Sequence, residues 1–141
     1  MRIAVLGAGA WGTALAIAFS RHHQTALWVR NPEQAAAMRS TRANARYLPG
    51  FSLPDALQVE TDFISVAKAS ELNILATPLA GLRETLRHLR STAPATPVIW
   101  VCKGLESDSQ RLPHQIVAEE LGERLPCGAL TGPSFAEEVA Q

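Results

Sequence analysis

A doubly wound α/β fold, with a mainly parallel sheet and helices on both faces, is the class this sequence predicts. Three observations carry it. Short apolar runs alternate with helical patterns along almost the whole chain, and parallel strands need such crossovers. The first apolar run leads straight into a glycine-rich turn and then a helical stretch, VLGAGAWGTALA at Val5–Ala16. No internal repeat or low-complexity tract points to a solenoid or a disordered segment.

The elements follow in order. Ile3 to Leu6 is a short buried strand, and a helix runs from Ala10 to about Arg21. Ala26 to Val29 is the second strand, and Pro32-Glu33 opens a helix reaching about Thr41. Asn44 to Pro54 (NARYLPGFSLP) holds turn-formers without a period and reads as irregular. Leu57 to Glu60 is a short strand, and Thr61-Asp62 caps a short helix ending near Ala69. Leu72 to Ala76 is the fourth strand; Thr77-Pro78 then places a capping residue before a proline. Leu79, Leu82, Leu86 and Leu89 line one face of the helix that follows, with Arg83, Glu84, Arg87 and Arg90 on the other. Val98 to Cys102, a helix over Leu112 to Gly122, and Cys127 to Leu130 complete the alternation. A last helix starts at Ser134, with Glu137 three residues on in a capping-box pattern. Its apolar residues Ala136, Val139 and Ala140 have nothing left to pack against, so the reading expects a second domain beyond Gln141.

The bulk composition narrows the function classes. The 13 Lys and Arg balance the 13 Asp and Glu, so no basic excess favours nucleic acid. No apolar run approaches the roughly 18 residues of a membrane span, and Met1-Arg2 leads directly into a strand with no signal-peptide architecture. Cys102 and Cys127 lie in or beside apolar segments and read as reduced core residues, which fits the cytoplasm. The four histidines show no metal-ligand spacing, and no Ser/His/Asp or Cys/His set stands out.

The chemistry lies in the turns after the strands. Gly7-Ala8-Gly9-Ala10-Trp11-Gly12 is G-x-G-x-x-G between a strand and a helix. Gly7 permits the tight turn, Gly9 lets a pyrophosphate approach bare backbone, and Gly12 lets helix and strand pack closely. The helix start adds free N–H groups and a partial positive charge. In this context the motif reads as a Rossmann-type dinucleotide site rather than a turn serving packing alone. The second strand ends in Arg30-Asn31 where an acid would otherwise meet the ribose hydroxyls. A guanidinium suits a 2′-phosphate, which favours NADP(H), or dual use with NAD(H); the plain alternative is a solvated loop arginine. Trp11 either covers the cofactor or closes the sheet edge. Thr77-Pro78 offers backbone to the cofactor or is only a helix cap. Lys103 leaves an apolar strand at the ligand-binding edge, where its ammonium can hold a phosphate or polarise a carbonyl. Gly132-Pro133-Ser134 opens the last helix and offers amides and a hydroxyl to an anion or substrate.

These stretches resemble the bacterial-type NAD(P)-dependent glycerol-3-phosphate dehydrogenases. The resemblance spans all 141 residues. It rests on GAGAWGTALA at 7–16, LW-x-R-N at 27–31, N-x-x-YLPG at 44–50, ATP at 76–78, CKGLE at 102–106 and TGPSFAEEV at 131–139. It implies interconversion of sn-glycerol 3-phosphate and dihydroxyacetone phosphate, supplying phospholipid synthesis, in an enzyme that can be a homodimer. It also implies cofactor contacts at Ala10, Trp11, Arg30, Lys103 and Ala136, and substrate contacts at Lys103, Gly132 and Ser134. Asn44 falls near the cleft with no assigned role. The family's catalytic lysine and its phosphate-gripping Arg-Asn segment belong to a helical C-terminal domain that this chain does not contain, so no catalytic residue is expected here. Two rival functions remain: another two-domain hydroxyacid dehydrogenase, and a nucleotide-sensing module without chemistry.

Overall fold

The computed structural model describes residues 1–141. The chain forms eight strands and six helices: β1 Arg2–Leu6, α1 Ala10–Ser20, β2 Gln24–Trp28, α2 Pro32–Thr41, β3 Ala43–Asn44, β4 Leu48–Ser52, β5 Gln58–Glu60, α3 Phe63–Ala69, β6 Leu72–Leu75, α4 Leu79–Thr92, β7 Val98–Trp100, α5 Pro113–Leu121, β8 Cys127–Ala129 and α6 Ala136–Ala140. Six strands form one parallel sheet in the order β5-β2-β1-β6-β7-β8. The doubly wound class predicted from the alternation is the one observed.

The central strand shows why. β1 is apolar at four successive positions, so it can be buried on both faces. Ile3 and Val5 enter one core with Ala14, Leu15 and Ile17 of α1 and Met38 of α2. Ala4 and Leu6 enter the opposite core with Val66 of α3, Leu82, Leu86 and Leu89 of α4, and Ile116 of α5. The chain leaves β1 toward β2 on one side and returns at β6 on the other. The carboxyl ends of β1 and β6 therefore form the switch point, where such sheets open a crevice.

Five expectations need correction. The segment read as irregular carries a small antiparallel hairpin, β3 paired with β4, with a register shift at Ala43/Asn44. The two-residue β3 is too short to show a period of two. The last helix starts at Ala136, not Ser134; the Phe135 amide donates to Glu138 Oε2 at 2.7 Å, so the Ser134–Glu137 box is not formed. Nor is that helix unpartnered. Ala140 is buried in the first core, and the Arg21 guanidinium donates to the carbonyls of Ala140 and Gln141 at 2.9 and 2.6 Å. Cys127 is exposed and Cys102 half-buried, because β8 is an edge strand and β7 stops before Cys102. Finally, Pro78 rather than Thr77 caps α4, and no side chain closes that helix start.

Candidate functional site

The glycine turn is fixed by close backbone approach. Gly7 sits at φ 120°, a conformation that side-chain-bearing residues rarely adopt, and its amide donates to the Trp28 carbonyl at 3.2 Å. Gly12 faces Gly7 so closely that any Cβ would collide with its carbonyl. Gly9 differs: the space its Cβ would fill is open. It caps α1 without a side-chain hydrogen bond, and no acid lies in the first turn. The amides of Ala10, Trp11 and Gly12 have no carbonyl one turn back to receive them. Asn31 and Asp62, by contrast, cap α2 and α3 with their own side chains.

A cleft of about 720 Å³ opens above this turn. Its floor is Gly7–Trp11 after β1, with Ala76 and Thr77 after β6 and Val101–Lys103 after β7. β6 and β7 end earlier than their apolar runs suggest, which frees Ala76 and 101–102 to line it. Arg30 and Lys103 stand at the lining, both exposed, and neither makes an ion pair. Trp11 is half-buried: it faces the cleft on one side and packs on the first core on the other. The Thr77 hydroxyl is buried against the cleft with no hydrogen-bond partner.

Gly132, Ser134 and Ala136 do not line the cleft. Ala136 packs on the same core as Trp11, while Gly132 and Ser134 follow edge strand β8. Asn31 Oδ1 accepts from the amides of Glu33 and Gln34, so that oxygen is committed to α2.

Three features escaped the sequence. Asn44 is 2% exposed, and its amide donates to the Ala8 carbonyl at 3.0 Å and to Thr13 Oγ1 at 2.8 Å. It thereby ties the hairpin to the glycine turn and α1, a contact 31 to 36 residues away in sequence with no local signal. Trp28, Phe63 and His88 form an edge-to-face aromatic series, with centroids 5.2 and 5.5 Å apart, along one wall of the cleft. Trp28 at a strand's carboxyl end was the available clue. The third is ionic. Arg83 holds Glu106 in a two-pronged pair (Nε to Oε2 3.0 Å, Nη2 to Oε1 2.9 Å) and also reaches Glu119 and Glu120. Arg87 and Arg90 reach the buried Glu120 as well. The arginine face of α4 thus joins α5 and the loop that carries Lys103.

This junction should make stability acid-sensitive. The Arg83 guanidinium and the Ser109 hydroxyl hold Glu106 down at about 2, against an ordinary 4.5. Burial alone would raise Glu120, but Arg83 and Arg87 outweigh it and its carboxyl also lies low. A carboxyl depressed on folding stabilises fully above its unfolded value and loses that contribution as pH falls through the folded value. The thermal midpoint should therefore drop steeply from pH 4.5 to about 2. Glu106→Gln should lower it at neutral pH and flatten the acid slope; parallel slopes for wild type and variant in a pH series of melts would contradict this.

The fold and its glycine-floored cleft define a class, the Rossmann-type nucleotide-binding domain. Residues 2–141 match the family described as NAD-dependent glycerol-3-phosphate dehydrogenase N-terminus, and the chain belongs to that family. It is 55% identical over 141 residues to the glycerol-3-phosphate dehydrogenase [NAD(P)+] of Aromatoleum aromaticum, covering 100% of this chain and 43% of the relative. The protein of the same description from Dechloromonas aromatica is 54% identical over 140 residues, covering 99% and 43%. The crystal structure of glycerol-3-phosphate dehydrogenase from Coxiella burnetii superposes with a TM-score of 0.90 at 34% identity, over 99% of this chain and 43% of that one. The chain thus spans less than half the length of these relatives. No helix in it is long and apolar enough to cross a membrane.

Proposed function

We propose that this chain is the cofactor-binding domain of an enzyme that interconverts sn-glycerol 3-phosphate and dihydroxyacetone phosphate with NADP(H), or with NAD(H) as a second cofactor. The observation that carries the reading is the open space at Gly9, beside unpaired helix amides, in a turn whose other two glycines are closely packed. That space fits a diphosphate: bare backbone for approach and N–H donors for its charge.

A bound nicotinamide dinucleotide supplies the hydride carrier. The chain's own residues then divide the work. Gly7, Gly9 and Gly12 shape the turn, and the amides of Ala10 and Trp11 receive the diphosphate. Arg30, at the cleft lining after β2, would hold a 2′-phosphate on the adenosine ribose with a two-pronged donor. Lys103, held in its loop by the Arg83–Glu106 pair, presents an unpaired ammonium to cofactor and substrate. Ala136, Gly132 and Ser134 lie outside the cleft of this chain, and their cofactor and substrate contacts in the whole enzyme are what the family resemblance implies. The catalytic residues belong to a helical C-terminal domain, and the 141-residue chain alone should not turn over substrate. The whole enzyme would work in the cytoplasm as a homodimer, supplying glycerol phosphate to phospholipid synthesis.

Calorimetric titration with NADPH and NADH tests the reading. Arg30→Ala should weaken NADPH by about 10-fold to 100-fold, the range of a charge-assisted phosphate contact, and leave NADH within about twofold. Equal affinity for both cofactors, unmoved by the substitution, would refute the 2′-phosphate assignment. Turnover of glycerol 3-phosphate by the full-length protein, set against other hydroxyacids, tests the substrate.

A further inference from the structure

A second hollow, open and about 740 Å³, adjoins the cleft and shares Arg30, Gln34 and Tyr47 with it. Arg30 enters from the β2–α2 turn and Arg46 from the β3–β4 hairpin, so two guanidinium groups distant in sequence line one cavity. Of the eleven arginines in the chain, eight are bonded to carboxylates or carbonyls. Arg30, Arg46 and the remote Arg124 are the three left without such a partner. Glu33 is the one acid in the hollow's lining, and it pairs with neither arginine.

The position of Arg46 is built. Its guanidinium carbon lies 5.1 Å from the centre of the Tyr47 ring, a contact that favours this placement and uses none of the N–H donors. The Tyr47 amide donates to Asn44 Oδ1 at 3.4 Å, and Asn44 in turn holds Ala8 and Thr13. The hairpin turn is thereby keyed to the glycine turn. A phosphate monoester carries close to two negative charges near neutral pH, more than one guanidinium neutralises.

We propose that Arg46 is a specificity-determining residue, which with Arg30 forms a two-arginine site for the 2′-phosphate of NADP(H). The assignment rests on the cofactor reading above. It makes the hairpin, and not the β2–α2 turn alone, the element that separates the two cofactors.

The test is titration of the 141-residue chain, wild type, Arg46→Gln and Arg46→Lys, with NADPH, NADH and the fragment adenosine 2′,5′-bisphosphate. Arg46→Gln should weaken NADPH and the bisphosphate by about tenfold and leave NADH within about twofold. Arg46→Lys should recover part of the loss, since it keeps the charge without the fork. Arg46 is exposed, so the melting temperature should stay unchanged. An NADPH-to-NADH ratio unmoved by Arg46→Gln, while both cofactors still bind, would overturn this assignment and leave the cofactor reading standing. Failure of the wild-type chain to bind either cofactor would overturn both.

Discussion

Gly12→Ala should destabilise the chain by about 3 kcal/mol or more, lowering its melting temperature by about 10 °C. The added Cβ would lie 3.1 Å from Ala76 Cβ and would overlap the Gly7 carbonyl outright. The obstructing groups are backbone, not the end of a flexible side chain. Gly7 cannot yield either, because a Cβ on it would stand 2.7 Å from the Ala76 carbonyl oxygen, and its φ of 120° belongs to glycine. Relief requires α1 to lift from β1 and β6. That motion would open the core around Ala14, Leu15 and Ile17, all essentially buried. A thermal melt within about 3 °C of wild type would show that this approach is not fixed by packing.

Gly9→Ala should do the reverse: leave the fold intact and weaken NADPH and NADH alike by about 100-fold, near 3 kcal/mol. Gly9 has an ordinary φ of −76°, and nothing lies within 4 Å of its would-be Cβ. The substitution removes backbone freedom from the unfolded chain, so stability should hold or rise by up to about 1 kcal/mol. The methyl would occupy the one gap in the turn beside the unpaired amides of α1. Binding by Gly9→Ala at wild-type strength would place the diphosphate elsewhere and remove the basis of the proposed function. Together the two variants separate roles that look identical in the motif: one glycine is required by helix packing, the other by what approaches from outside.

Most of the framework was legible because its signals are local. Apolar runs buried on both faces marked β1 and β6, and the leucine spacing of α4 marked its buried stripe. The G-x-G-x-x-G spacing located the turn, and the apolar strand before Lys103 put that ammonium at the ligand edge. The hairpin at 43–52 was not legible. β3 is two residues long, and what holds the hairpin is Asn44 reaching Ala8 and Thr13. The partners of the arginine face of α4 were not legible for a similar reason, since Glu106, Glu119 and Glu120 lie 23 to 37 residues further along. The final helix misled because its partner, α1, comes from the start of the chain.

The sequence by itself determined the order of the six sheet strands and the helices, the glycine turn and the cationic residue types at the strand ends. Hydrophobic period, steric need for glycine and helix-start chemistry all act within a few residues. Only the tertiary structure decided which cations stay unpaired at the cleft, that Arg30 and Arg46 share one hollow, and that Gly12 is closed while Gly9 is open. Those outcomes depend on distances between segments far apart in the chain, which no local pattern encodes and which are set only when the two cores pack around the sheet.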